Sequence, residues 1–105
     1  MNAIREVKEG RQRQGVDESI AYTITTTPWG SAPSAVAVVV YDVTPGTRTV
    51  VTTTVMPAGS PSVIGDVITL PPLTLLTDGK TYRVEVKFTC SGNVFETFIV
   101  VEAEQ

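Results

Sequence analysis

Histidine is absent from this 105-residue chain, and cysteine occurs once, as Cys90. Without histidine the chain cannot build a Ser-His-Asp or Cys-His nucleophile, nor a zinc site that uses imidazole ligands. A single thiol cannot close a disulfide within the chain or form a set of thiolate ligands, so the fold has to hold by packing alone. We interpret Cys90 as a small strand residue near the end of the core, and we predict no cofactor.

Carboxylates are also sparse, with eleven Asp and Glu residues spread over the N-terminal segment, turns and outward strand positions. This distribution offers no paired carboxylates of the kind that cleave glycosides. Asp42, Asp66 and Asp78 lie at predicted strand ends. One interpretation of these three carboxylates is that they bind calcium from loops, and the simpler one is that they form hydrogen bonds within turns. We predict neither a metal site nor an enzyme.

The chain has no excess of basic residues and no long apolar run. Its net charge is −3 and its pI is about 4.8, which gives no field for binding nucleic-acid phosphates. The longest apolar run, Ala35 to Tyr41, is far shorter than the roughly 20 residues that span a membrane as a helix. The N-terminus carries charges where a signal peptide is apolar. We therefore expect a soluble protein without a signal peptide, and without nucleic-acid or membrane partners.

What the chain has in excess is Val and Thr, which favour strands. Tyr82 to Cys90 alternates apolar and polar side chains, and Val94 to Val101 follows a Ser-Gly-Asn turn, so the two are predicted to form an antiparallel hairpin. Ile20 to Thr25, Thr49 to Met56 and Ala35 to Tyr41 are predicted to be further strands, the last apolar on both faces. Short strands separated by turn signals predict an all-β sandwich of about seven antiparallel strands.

One local pattern favours a sandwich over a barrel. Leu76, Gly79 and Tyr82 have the spacing of a tyrosine corner, in which a phenol hydroxyl bonds to the backbone of the connection before a strand. We predict that these three residues form such a structural corner.

The first 18 residues are charged and contain few large apolar groups, so they are predicted to form an N-terminal arm outside the core. The arm is either flexible or an added edge strand, and flexibility is the usual state of a free terminus. The sandwich domain is predicted to cover residues 19–105.

Two surfaces are candidates for binding. Phe98 and Val100 are predicted to face away from the core and, with Val39 and Tyr41, to form an apolar protein interface. The alternative surface is the Pro/Gly/Ser-rich loop that carries Trp29, which either contacts a sugar or another ligand or folds back onto the sandwich. A self-associating structural protein and a monomeric ligand-binding module are thus the two functions under consideration.

Three stretches of the sequence resemble known proteins. They are Val40 to Thr44, Gly65 to Pro71, and Leu76 to Val86, the last of which contains Gly79 and Tyr82. Together they resemble small immunoglobulin-like proteins encoded in phage and prophage structural gene clusters, and also fibronectin type III modules. The resemblance covers roughly residues 20 to 102 and leaves the charged arm without a counterpart.

The resemblance implies an immunoglobulin-like or fibronectin III-like sandwich without catalytic residues. It further implies a virion or prophage-derived component of a tail, a head-to-tail connector or a head surface. Such a protein acts through symmetric self-association, as a homo-oligomer, or through contacts with other virion proteins. It is made in the cytoplasm of a bacterial host and ends in the virion.

Overall fold

A long antiparallel hairpin dominates the C-terminal part of the chain. Its strands are β8, Thr81–Cys90, and β9, Asn93–Glu104, which pair in register from Thr81 with Glu102 to Cys90 with Asn93. The two-residue turn between them consists of Ser91 and Gly92, with φ values of 51° and 80°. Positive φ at both positions is typical of the type I′ turn, whose twist matches that of paired strands. The predicted hairpin is therefore confirmed.

The computed structural model describes residues 2–6, 12–27, 30, 32–57 and 59–104, and residues 2–6 by their backbone alone. Nine strands and one short helix occur in these residues. Besides β8 and β9 they are β1 Asn2–Glu6, β2 Gln12–Gly15, β3 Thr23–Thr25, β4 Ser34–Asp42, β5 Thr49–Val50, α1 Thr52–Val55, β6 Ser62–Ile64 and β7 Val67–Thr69.

The strands form two sheets. The larger sheet has the order β1-β9-β8-β4-β5, with β2 also paired to β9, and the smaller sheet has the order β3-β7-β6. Both β1 and β2 run parallel to β9, whereas the other pairs are antiparallel. The expectation of an all-β, sandwich-like protein is confirmed. The prediction of about seven antiparallel strands is not confirmed, since the described residues contain nine strands and the pairs β1–β9 and β2–β9 are parallel.

One core joins the two sheets. The inner face of the hairpin supplies Val84, Phe88 and Val101, each with no exposed side-chain area, and the smaller sheet supplies Ile24 and Ile68. Thr97 and Ile99 are buried on the same face of β9, as the alternation predicted. The connection between β7 and β8 adds Leu70, Leu73 and Leu76. Burial of these side chains is the main source of stability, since Cys90 is a free thiol.

The predicted strand from Thr49 to Met56 is wrong after its first two residues, because the chain turns into α1. The hydroxyl oxygen of Thr52 accepts a hydrogen bond from the backbone N–H of Val40 at 2.9 Å. A side chain thus takes a donor on β4 that a continuing strand would have used. The turn then places Val55 and Met56 in the core, with 2% and 3% of their area exposed.

A buried polar side chain on β2 joins the N-terminal segment to the connection between β7 and β8. The Gln14 side chain on β2 has no exposed area. Its amide nitrogen donates to the carbonyl oxygens of Leu73 at 2.6 Å and Glu18 at 3.1 Å, and its amide oxygen accepts from the Tyr22 hydroxyl at 3.0 Å. Gln14 therefore fixes β2 to the connection that leads out of the smaller sheet, inside the segment predicted to be an arm.

The corner before β8 contains the predicted tyrosine hydrogen bond. The backbone N–H of Thr77 donates to the Tyr82 hydroxyl at 3.0 Å, and the Tyr82 ring is 3% exposed. Leu76 is buried beside it, and Gly79 adopts a φ of 82° in the turn between them. An L side chain at that φ is strained, so the turn favours glycine.

Replacement of Tyr82 by Phe should lower the free energy of unfolding by about 1 kcal/mol, because the Thr77 N–H loses its acceptor while the ring remains packed. Urea denaturation of both proteins measures the difference. Tyr41→Phe is the matched control, since the Tyr41 ring lies outside the core, and it should change stability much less. Equal losses in the two variants would contradict the role of the corner.

Replacement of Gln14 by Ala should lower the free energy of unfolding by about 1–3 kcal/mol, because it removes the hydrogen bonds of this side chain to Leu73, Glu18 and Tyr22, although the Leu73 carbonyl keeps the Ile20 N–H as a donor. Gln12→Ala on the same strand is the control, since the Gln12 side chain is only partly buried. Thermal and urea unfolding measure both effects. A Gln14→Ala variant as stable as wild type would contradict the role of the Gln14 side chain in fixing β2.

Candidate contact surface

The outer face of the larger sheet, opposite the core, brings the four predicted interface residues together. Strand register aligns them in two neighbouring rows across β4, β8 and β9. The rows are Val39, Glu85 and Phe98, and then Tyr41, Arg83 and Val100. Adjacent strands lie about 4.8 Å apart, so each row spans about 10 Å. We call these six residues, together with Arg48, the outer-face cluster.

Charged groups occupy the centre of this cluster. The sequence analysis did not include these charged residues in the predicted interface. The Arg83 guanidinium lies 3.8 Å from the centre of the Phe98 ring, and that of Arg48 lies 4.5 Å from the centre of the Tyr41 ring. The carboxylate of Glu85 lies 2.8 Å from Arg83 Nε and 3.8 Å from Arg48 Nη2. One carboxylate therefore joins two cation–π pairs. The alternation of β8 had already placed Arg83 and Glu85 on this face, but it gave no information about their neighbours.

The cluster is less apolar than expected. Val100 is 9% exposed and so is not available for contact, which corrects the expectation that it lies bare on the surface. Val39, Tyr41 and Phe98 are half-buried. The arginines cover part of the aromatic rings, which reduces the apolar area presented to water.

The most exposed large apolar side chains of the described residues lie elsewhere. Ile64 is 81% exposed, Leu75 64%, Val50 62% and Val63 37%. Val50 lies on β5 and Val63 and Ile64 on β6, which are the last strands of their sheets, while Leu75 lies in the connection before β8. Leu75 also has a φ of 57°, which is rare for a bulky residue. The sequence pattern singled out none of these residues as exposed.

Trp29, the residue on which the ligand-binding alternative depends, lies outside the described residues. The described parts of its loop are held by Asp66, whose carboxylate accepts from the Thr27 hydroxyl at 3.0 Å and from the Ala32 N–H at 3.2 Å. The buried Thr26 hydroxyl donates to the carbonyl oxygens of Gly30 at 3.0 Å and Asp66 at 3.2 Å. The Asp66 carboxylate therefore bonds to a loop that is 34 to 39 residues away in the chain, whereas the turn interpretation predicted hydrogen bonds within its own turn.

A second carboxylate, Asp42, lies at the end of β4 and is 8% exposed. It accepts from the Thr44 hydroxyl at 2.6 Å and from Lys80 Nζ at 2.9 Å. The Thr44 hydrogen bond, with the contact to Lys80, holds the pKa of Asp42 below its ordinary value, although burial acts in the opposite direction. The same contact raises the pKa of Lys80. The pair joins the end of β4 to the turn before β8 and serves the fold.

Because its pKa is lower in the folded protein, ionised Asp42 stabilises the fold above the ordinary Asp pKa of about 4. This contribution should decrease as the pH falls through 4 and vanish below the lowered folded pKa. The Asp42→Asn variant should be less stable than wild type at pH 7 and should lose less stability between pH 6 and pH 3. Urea denaturation across this range measures both slopes.

Asp78→Asn is the matched control, because it changes the net charge equally at an exposed turn position. It should keep the wild-type dependence on pH. If Asp42→Asn and Asp78→Asn flatten the profile alike, the effect is one of overall charge and the Asp42 interpretation is wrong.

Metal-ligating side chains do not assemble in the described part of the chain. No three His, Cys, Asp or Glu side chains there are grouped so as to hold a metal ion. The Cys90 thiol is 1% exposed, next to Gly30, where an added Cβ would come within 2.8 Å of the Cys90 Cβ. Among the same residues, no helix is long and apolar enough to cross a membrane.

Comparison with models of known protein families finds no match for this chain, and no curated protein sequence matches it. The outer-face cluster is therefore assessed on its own geometry.

Proposed function

We propose that this chain is a non-catalytic assembly protein whose outer face binds a second copy of itself. The observation that carries the proposal is the pair of arginine–aromatic contacts joined by Glu85. Arg, Tyr and Phe are enriched in protein interfaces, and Arg and Tyr often dominate the binding energy.

The order within the cluster favours binding. Ion pairs and ring contacts already hold the side chains of Arg83, Glu85 and Arg48, so a partner has fewer rotamers to immobilise. Because the entropy lost on binding opposes association, a pre-ordered surface binds more tightly than a mobile one of equal area. The aromatic rings then supply apolar area around a charged centre.

The balance of charge on this face favours a like partner. Among the described side chains the charges on it are equal in number, four positive and four negative, and they belong to Arg13, Arg48, Arg83, Lys87, Glu85, Glu96, Glu102 and Glu104. Two such faces therefore do not repel each other through a net charge, and a two-fold axis can oppose Arg to Glu in both directions.

The finer assignment concerns the class of sandwich. We propose an immunoglobulin-like sandwich, since β3, β6 and β7 belong to one sheet and β4, β5, β8 and β9 to the other, an alternation typical of that class. The hydrogen bond between Tyr82 and Thr77 supports the same class. Three sequence stretches also resemble phage and prophage immunoglobulin-like proteins. Together, the class of sandwich and this resemblance support the proposal that the chain is a virion component.

The test is the solution mass of the chain, measured by size-exclusion chromatography with light scattering over a range of concentrations. We expect a discrete oligomer for wild type and a monomer for Phe98→Asp and Tyr41→Asp, because each substitution removes an aromatic ring from the interface and adds a negative charge to both opposed faces. Val100→Asp is unsuitable, since Val100 is buried in the protomer.

Ile64→Asp provides the matched control, because Ile64 is more exposed but lies on the smaller sheet. It should keep the wild-type mass. Circular dichroism and urea unfolding verify that each variant is folded. A wild type that stays monomeric at every concentration, or an Ile64→Asp variant that alone loses the oligomer, would contradict the proposed surface.

A further inference from the structure

More residues connect β1 to β2 than separate their pairing partners on β9. Glu6, the last residue of β1, pairs with Phe98, and Gln12, the first residue of β2, pairs with Val101. Five residues, 7–11, connect Glu6 to Gln12, whereas only residues 99 and 100 separate Phe98 from Val101. In a continuous edge strand, the number of residues between Glu6 and Gln12 would equal the number between Phe98 and Val101. The connection is therefore three residues longer than the register of β9 requires.

The two N-terminal strands are joined to the protein in different ways. The buried Gln14 side chain fixes β2 through its hydrogen bonds to Leu73, Glu18 and Tyr22, and the Val16 N–H continues the ladder to the Glu104 carbonyl at 2.8 Å. The sequence of β1, Asn-Ala-Ile-Arg-Glu, contains one large apolar residue, Ile4. Its five-residue backbone ladder with β9 can be released while β2 stays in place.

The edge of β9 requires a strand at this position. Without β1, the outward N–H and C=O groups along Val94 to Phe98 lose the parallel ladder described here and become a template for another strand. The same strand from a second copy satisfies these groups in the same register, so the ladder itself does not distinguish the two arrangements.

The position of the connection relates β1 to the outer face. It starts beside Phe98, a member of the outer-face cluster, through which copies are proposed to meet. Fully extended, the six steps from Glu6 to Gln12 reach about 20 Å, whereas the register in β9 requires about 10 Å. The spare length of about 10 Å corresponds to about two strand spacings.

We propose that, in the assembly, β1 of one copy leaves its own sheet and pairs with β9 of a neighbouring copy in the same parallel register. This inference rests on the proposed function, because in a free protomer the tethered β1 is present at a millimolar effective concentration and pairs with its own β9. Only a neighbour held on the outer face offers a competing edge at a similar effective concentration. The partner is a second copy of this chain.

The experiment detects the pairing by disulfide formation at the register pair of Ile4 with Glu96. Directly opposed residues in neighbouring strands are close enough for a disulfide. One full-length chain carries Ile4→Cys and a small mass tag, and the other carries Glu96→Cys. The two are mixed dilute, concentrated to the mass range of the oligomer and oxidised. Non-reducing gels and peptide mass spectrometry then identify the linked residues.

We expect a disulfide-linked species of twice the protomer mass, joined at residues 4 and 96, which disappears when the mixture is diluted before oxidation. Ile4→Cys mixed with Glu104→Cys is the matched control, because Glu104 lies on the same strand but pairs with Gly15, some 26 Å further along. Wild type reports any linkage through Cys90. Circular dichroism verifies that the variants fold.

The outcomes separate this inference from the proposed function. An oligomer of wild-type mass in which residues 4 and 96 link only when both cysteines are on one chain would overturn strand exchange and retain the outer-face contact. A protein that is monomeric at every concentration would overturn both. Linkage at residues 4 and 104 as efficient as at 4 and 96 would show unspecific oxidation and would also overturn the exchange.

Discussion

The ten-pair ladder between β8 and β9 is the constraint on which the rest of this structure depends. Its period-two alternation assigns Val84, Val86 and Phe88 to the core and Arg83 and Glu85 to the opposite face. Both neighbours of the hairpin take their register from it, with β4 on one side and the N-terminal strands on the other. A slip of one residue would exchange the two faces, which the buried area on the core side prevents.

Where the ladders end, single polar side chains take over the backbone groups. Thr52 accepts the Val40 N–H, Tyr82 accepts the Thr77 N–H, Gln14 donates to the Leu73 carbonyl, and Asp66 accepts from Ala32. The Thr52, Tyr82 and Asp66 contacts supply acceptors to backbone N–H groups, and Gln14 adds a second donor to a carbonyl that the Ile20 N–H already contacts. A protein without disulfides thereby closes both sheets around one core, since an unpaired buried backbone group is unfavourable.

The same hairpin carries the two surfaces that we propose for assembly. Its outer face presents arginine–aromatic contacts around Glu85. The edge of β9 that faces away from β8 pairs with β1 and β2. Phe98 belongs to both regions, as a ring under Arg83 and as the register partner of Glu6. The proposed face-to-face association and the proposed strand exchange thus both use one strand, β9.

The amino-acid sequence by itself determined the all-β class, the C-terminal hairpin with its buried face, and the corner spacing of Leu76, Gly79 and Tyr82. These features depend on side-chain alternation and on turn residues a few positions apart, so they can be read locally. The grouping of Val39, Tyr41, Phe98 and Val100 on one face was also predictable from alternation.

Only the tertiary structure decided the features that depend on distant partners. Gln14 is polar and lies in a charged segment, yet it is buried because Leu73, 59 residues away, supplies its acceptor. Thr52 ends a strand because β4 presents an N–H to its hydroxyl. Val100 is buried and Ile64 exposed although both are β-branched and apolar, because their burial depends on which elements pack over them. The polarity of a residue is known from the sequence, whereas its burial depends on contacts that form only when remote segments meet.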